Sequence, residues 1–89
     1  MIEKNPREVK DIIDNAKNDP MILDVREQWE YDICHIENST HIPMGKIASV
    51  EGELSIDIKI IVVCHHGIRS RMVAKYLTSK GFSDVINLT

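Results

Sequence analysis

The stretch Ile58–Ser70, IKIIVVCHHGIRS, decides how this chain folds. Ile58, Ile60, Ile61, Val62 and Val63 are all β-branched, and only Lys59 interrupts them. Such side chains suit a pleated strand, and an apolar run without polar alternation suits a strand covered on both faces, as in a parallel sheet between helices. The run stops at Cys64. A tight loop containing Gly67 follows, and from Arg69 the residues RSRMVAKYL turn helical. Open α/β sheets collect their reactive groups at the carboxyl ends of strands, so a nucleophile belongs where Cys64 stands. Loop and first-turn amides of the next helix are unpaired donors, and the helix dipole is positive at that end. Both favour an anionic sulfur. A cysteine so placed, beside His65, His66, Arg69 and Arg71, is expected to be a thiolate near neutral pH. The competing reading is an inert buried cysteine closing a core strand. Two histidines, a glycine and two arginines directly after it make poor core material, which favours a functional thiol.

Outward from this stretch the chain alternates helix and strand. Asn5 can cap a helix whose first turn holds Pro6. Val9, Ile12, Ile13 and Ala16 then give that helix one apolar face, and Asn18-Asp19-Pro20 breaks it. Met21–Val25 reads as a second buried strand. Glu27–Ile33 reads as a short helix with Trp29 and Ile33 on one side, Trp29 serving packing. Thr40–Ile42 reads as a short strand ended by Pro43, Met44–Val50 as containing a helical turn, and Glu51–Glu53 as an exposed loop. The long helix after Cys64 ends at Lys80-Gly81, a good C-cap, and Val85–Leu88 is a final strand. The expected architecture is α/β, a small central parallel sheet flanked by helices on both faces, with the active-site loop between a buried strand and a helix.

At 89 residues this is one expected domain, spanning 1–89, with a modest core. A net charge of −3 argues against a nucleic-acid partner, which a basic chain would suit better. No apolar stretch approaches the ~20 residues of a membrane span, and the polar start MIEKNPREVK lacks a signal peptide's apolar region. Two cysteines thirty positions apart do not make a disulfide framework, so a reducing cytoplasm is the expected setting.

CHHGIRS after a hydrophobic strand resembles the active-site loop of the rhodanese-like sulfurtransferases. LDVREQWEY at Leu23–Tyr31, His35-Ile36, His41-Ile42-Pro43 and GFSDVINL at Gly81–Leu88 extend the resemblance over nearly the whole chain. The cysteine loop and the DVRE segment, in this order and at this separation, are its specific pair. The resemblance implies scaffold or site-rim roles for Asp24 and Arg26, with substrate contact open to Arg26. The chain departs from the family where Cys34, Glu37, Asn38 and Ser39 stand in place of Gly, Pro, Gly and Ala. Cys34 reads as a plain structural thiol, since a resolving role requires it to come close to Cys64. Many relatives continue with a Gly-Gly turn and a last helix beyond the position of Thr89, so this chain is expected to lack that helix.

A Cys64 thiolate can attack the sulfane sulfur of thiosulfate or of a persulfide donor. It would then pass that sulfur to cyanide, a small thiol or an acceptor protein thiol, in two displacements. The loop residues His65, His66, Gly67, Ile68, Arg69 and Ser70 are the expected substrate-binding set. Gly67 lets the loop wrap closely. Arg69 offers a planar fork for an anionic donor, and a solvated first-turn residue is its alternative reading. Ser70 can cap the helix or donate to the sulfur. No metal or organic cofactor is needed. Three other functions compete. One is a Cdc25-like phosphatase or arsenate reductase, whose Cys-x5-Arg spacing fails here because Ser70 falls where the arginine belongs. The second is a non-catalytic binding or regulatory module of the same fold, disfavoured by the retained cysteine. The third is a metal site of Cys64, His65, His66 and His35 or His41, which adjacent ligands in one tight loop fit poorly.

Overall fold

A computed structural model describes residues 1–89. Five parallel strands, β1 (Ile2–Lys4), β2 (Met21–Asp24), β3 (Thr40–His41), β4 (Ile60–Val63) and β5 (Val85–Leu88), form one sheet in the order β1-β5-β4-β2-β3. Four helices join them: α1 (Pro6–Asn15), α2 (Gln28–Ile33), α3 (Ile47–Val50) and α4 (Ile68–Ser79). Strand β4 lies in the middle, with Ile60 opposite Val85 on one side and opposite Met21 on the other. All four of its side chains are buried. Successive side chains on a strand point to opposite faces. Ile60 and Val62 accordingly join Leu23, Val73, Ala74 and Leu77 in the larger core, beneath α3 and α4. Ile61 and Val63 join Ile86 and Val9 in a smaller core beneath α1. The helices therefore flank both faces of the parallel sheet, as the unbroken apolar run implies.

The local signals act where they stand. The Asn5 side chain accepts from the Glu8 amide at 2.9 Å, while the Glu8 carboxylate accepts from the Asn5 amide at 3.1 Å. This reciprocal capping box fixes the start of α1 just ahead of Pro6. At the far end of α4, Gly81 takes φ +100°, a left-handed conformation that a Cβ would strain. The reversal lets the Gly81 and Phe82 amides donate to the Thr78 and Leu77 carbonyls. It also delivers Phe82 into the larger core. No helix is long and apolar enough to cross a membrane.

Three local expectations change. Strand β4 begins at Ile60, with Ile58 and Lys59 leading in, although the Lys59 carbonyl already accepts from the Met21 amide. Glu51–Glu53 is a 3-10 turn and not an open loop. Trp29 and Ile33 do not pack: they are 66% and 74% exposed. Helix α2 has six residues and buries none of them.

A Leu77→Ala substitution should cost about 2–5 kcal/mol, because it opens a cavity in the larger core. Ile33→Ala should change stability by less than about 0.5 kcal/mol. Urea denaturation of both variants measures the contrast.

Candidate active site

Cys64 follows β4 directly and lies half-buried where the sheet ends. Its Sγ accepts from the Gly67 amide at 3.1 Å and from the Ser70 amide at 3.3 Å. The buried Ser70 hydroxyl lies 3.2 Å from the same sulfur. A thiol donates to that hydroxyl; once the sulfur is ionised, the hydroxyl donates instead. Burial pushes the Cys64 thiol up, but the Ser70 hydroxyl and the amides of Ser70, Gly67 and His66 together bring it below its ordinary value. The donors, more than nearby cations, stabilise the anion. Gly67 takes φ +80° to aim its amide at the sulfur while serving as the N-cap of α4. Ser70, one turn further in, is therefore not the cap; its side chain is committed to the sulfur.

Polar ties hold the loop to both halves of the sheet. On the β5 side, the Asn87 amide group donates to the Gly67 carbonyl at 3.4 Å and to Glu3 of β1 at 3.0 Å. Arg71 binds the same Glu3 oxygen through Nε and Nη2, at 3.1 and 2.9 Å. On the α2 side, Arg69 and Glu30 form a two-pronged pair at 2.6 and 2.9 Å. Arg69 holds the Glu30 carboxyl down at about 2, with the Glu27 amide assisting. On the β2 side, the Arg26 guanidinium grips the buried Asp24 carboxylate and donates to the Cys34 carbonyl at 2.7 Å. Tyr31 is stacked between His35 and His41, with ring centroids 3.8 and 4.4 Å away, and His41 Nε2 donates to the Arg26 carbonyl at 2.8 Å.

A cavity of about 270 Å³ opens above the sulfur, bordered by Asp24, Arg26, Cys34, His35, Cys64 and His65 among others. One water occupies ~30 Å³ of liquid, so a small anion or the tip of a thiol-bearing chain fits. Of the residues singled out in the sequence, Cys64, Gly67, Ser70 and the His66 amide converge on the sulfur, while Asp24, Arg26 and His65 line the cavity. Arg69 departs from expectation, because Glu30 occupies its fork and it does not stand free for an anion. Ile68 is 64% exposed and points away from the apolar core. Neither Arg69 nor Arg71 closes over the sulfur as a phosphatase arginine would, since each is paired with a glutamate. No group of three His, Cys, Asp or Glu side chains is arranged to hold a metal ion. Asn87 escaped the sequence reading. Its signal was a polar residue inside the strand VINL, since a buried amide needs partners. Glu30 and Glu3 carried no such signal, as their partners lie 39 and 68 positions away.

The family described as Rhodanese-like domain matches residues 5–89. The chain belongs to the rhodanese-like family. Two solved rhodanese-like neighbours fix the fold. SSP1007 from Staphylococcus saprophyticus superposes with a TM-score of 0.88 at 28% identity, covering 99% of this chain and 86% of that one. A rhodanese-like domain protein from Staphylococcus aureus gives 0.88 at 30% identity, covering 99% and 84%. Thiosulfate sulfurtransferase GlpE of Coxiella burnetii (strain RSA 331 / Henzerling II) is 38% identical over 72 residues, which are 81% of this rhodanese-like chain and 67% of GlpE. YrkF of Bacillus subtilis (strain 168) is 43% identical over 67 residues, 75% of this chain. The match spans only 36% of YrkF's length.

Replacing Ser70 by Ala removes the hydroxyl donor and should move the Cys64 pKa upward. The pH dependence of iodoacetamide alkylation, followed in a Cys34→Ser background so that only Cys64 reacts, checks this. Gly67→Ala should cost about 1–2 kcal/mol in left-handed backbone strain. The Glu30–Arg69 pair gives a signed pH effect. Because folding depresses the Glu30 pKa, the pair's contribution is full above the ordinary carboxylate range and fades as pH falls toward about 2. Urea midpoints of wild type and Glu30→Gln should therefore differ at pH 7 and converge near pH 2.

Proposed function

We propose that this rhodanese-like domain is a sulfurtransferase that carries sulfane sulfur as a Cys64 persulfide. The observation that carries the reading is the set of donors around the Cys64 sulfur: two amides and a buried hydroxyl within 3.3 Å. They favour the attacking thiolate, and they favour it again as the leaving group of the second step. In the first step the thiolate attacks the outer sulfur of thiosulfate. A new S–S bond forms, the S–S bond of thiosulfate breaks, and sulfite leaves with the electron pair. In the second step an acceptor nucleophile, cyanide or a thiolate, attacks the outer sulfur of the persulfide, and Cys64 departs as thiolate. A persulfide donor replaces thiosulfate in the first step with a thiolate as its leaving group. The two displacements share one site, so kinetics are ping-pong.

Arg26 is the cation that borders the cavity. Its Nε and Nη2 are committed to Asp24 and the Cys34 carbonyl, while Nη1 remains for an oxygen of the donor. This assigns to Arg26 the anion-holding task that spacing suggests for Arg69. The names of GlpE relatives support thiosulfate as donor. The acceptor is a small thiol or a protein thiol, and the reading invokes neither a metal nor an organic cofactor.

The test is sulfur transfer from thiosulfate to cyanide by wild type and Cys64→Ser, with mass spectrometry for one extra sulfur atom on the protein. Wild type should gain the sulfur and turn over. Cys64→Ser should do neither, with activity down at least about a thousandfold, as for loss of a covalent nucleophile. A folded wild type that neither gains sulfur nor turns over with thiosulfate or inorganic polysulfide would overturn the reading.

A further inference from the structure

The cavity above Cys64 has a second thiol in its wall, Cys34. Both cysteines are free, Cys64 half-buried and Cys34 exposed. Cys34 caps the C-terminal end of α2, and its backbone is fixed. Arg26 Nη2 donates to the Cys34 carbonyl at 2.7 Å and to Asp24 Oδ2 at 2.8 Å. Asp24 is the register partner of Val63 on the adjacent strand, and Val63 is bonded to Cys64. This chain of links ties the backbone of one thiol to the strand end that carries the other. All five of its residues, Asp24, Arg26, Cys34, Val63 and Cys64, border the same cavity. Cys34 also borders a neighbouring groove with Trp29, Ile33 and His65, again about 270 Å³. Cys34, exposed to solvent, thus borders both the cavity at Cys64 and the neighbouring groove.

We propose that Cys34 is an internal sulfur acceptor that moves sulfur from Cys64 to the surface; this rests on the persulfide reading of Cys64. The Cys34 thiolate, its proton lost to solvent, attacks the outer sulfur of the protonated Cys64 persulfide. A bond forms between Cys34 Sγ and that outer sulfur, the Cys64 S–S bond breaks, and its electron pair returns to Cys64 Sγ. The outer sulfur keeps its proton. The products are a Cys34 persulfide and a Cys64 thiolate, with no net oxidation or reduction and no further reactant. Geometry favours the outer sulfur. The inner one is held by the Gly67 amide, the Ser70 amide and the Ser70 hydroxyl, and the cavity that Cys64 borders gives an added outer sulfur room to extend. The expelled Cys64 thiolate falls back into those hydrogen bonds, and a stabilised thiolate leaves readily. Arg26, in the same wall, offsets the negative charge that passes between the sulfurs. The exposed Trp29 and Ile33 beside Cys34 then form the face on which an acceptor thiol reaches the relayed sulfur.

The experiment loads the full chain with one equivalent of thiosulfate, then alkylates at intervals and maps which cysteine peptide carries the extra sulfur. The sulfur should appear first on the Cys64 peptide and then on the Cys34 peptide, at a rate independent of protein concentration. Cys34→Ser should still gain the sulfur, and all of it should stay on the Cys64 peptide. Cys64→Ser should leave both peptides bare. Sulfur that never reaches Cys34, while Cys64 loads normally, would overturn the relay and leave the persulfide reading intact. So would a transfer rate proportional to protein concentration, loading of Cys34 in Cys64→Ser, or a Cys34–Cys64 disulfide formed with release of hydrogen sulfide. No sulfur on Cys64 from thiosulfate or polysulfide would overturn both.

Discussion

Strand β4 has no face to spare for water. Ile60, Ile61, Val62 and Val63 are buried on both sides, so the sheet needs helices above and below it and strands to left and right. Burying one such side chain is worth roughly 1.5–3 kcal/mol, and these four contribute to two separate cores at once. Because the strand sits between β5 and β2, its end is the one place where a polar group can emerge from the apolar interior without leaving the middle of the domain. Cys64 occupies that place. The burial that makes the strand stable also sets the depth of the sulfur.

A half-buried sulfur would by itself be a poor anion, since desolvation favours the neutral thiol. The turn into α4 reverses the balance. Gly67 in its left-handed conformation aims one amide, the first turn of the helix supplies a second, and Ser70 adds a hydroxyl. These donors must be held still to be useful, and the surrounding ion pairs do so. Glu3, Arg71 and Asn87 tie the loop to the β1–β5 side, Glu30 ties α4 to α2, and Asp24 with Arg26 ties β2 to Cys34. Arg69 and Arg71 are therefore committed to glutamates, and Arg26 is the arginine that borders the cavity. Hydrogen-bond donors, more than these charges, favour the ionised sulfur.

The second thiol illustrates how a departure from a family pattern gains meaning from its surroundings. In sequence, Cys34 is a cysteine ahead of a polar turn, thirty positions from Cys64, where the family resemblance leads one to expect glycine. In three dimensions, Arg26 brings its backbone beside the end of β2, and β2 pairs with β4. Both cysteines then border one cavity, and Cys34 also borders a groove with the exposed Trp29 and Ile33.

The strands, the long helix and the position of Cys64 at the end of the central strand were written in local sequence. The Asn5-Pro6 start, the Gly81 stop and the unbroken β-branched run all act over a few residues, so their physics is readable without a fold. The DVRE segment and the CHHGIRS loop also identified the family, because both keep residues whose spacing is local. The partners of charged side chains were not readable. Arg69 found Glu30, Arg71 found Glu3 and Asn87 found Gly67 across 20 to 68 positions of chain. Trp29 read as a packing residue, yet it stands exposed on a helix that buries none of its residues. A side chain's preference is fixed by its own chemistry, whereas its partner is fixed by which strand ends the sheet brings together.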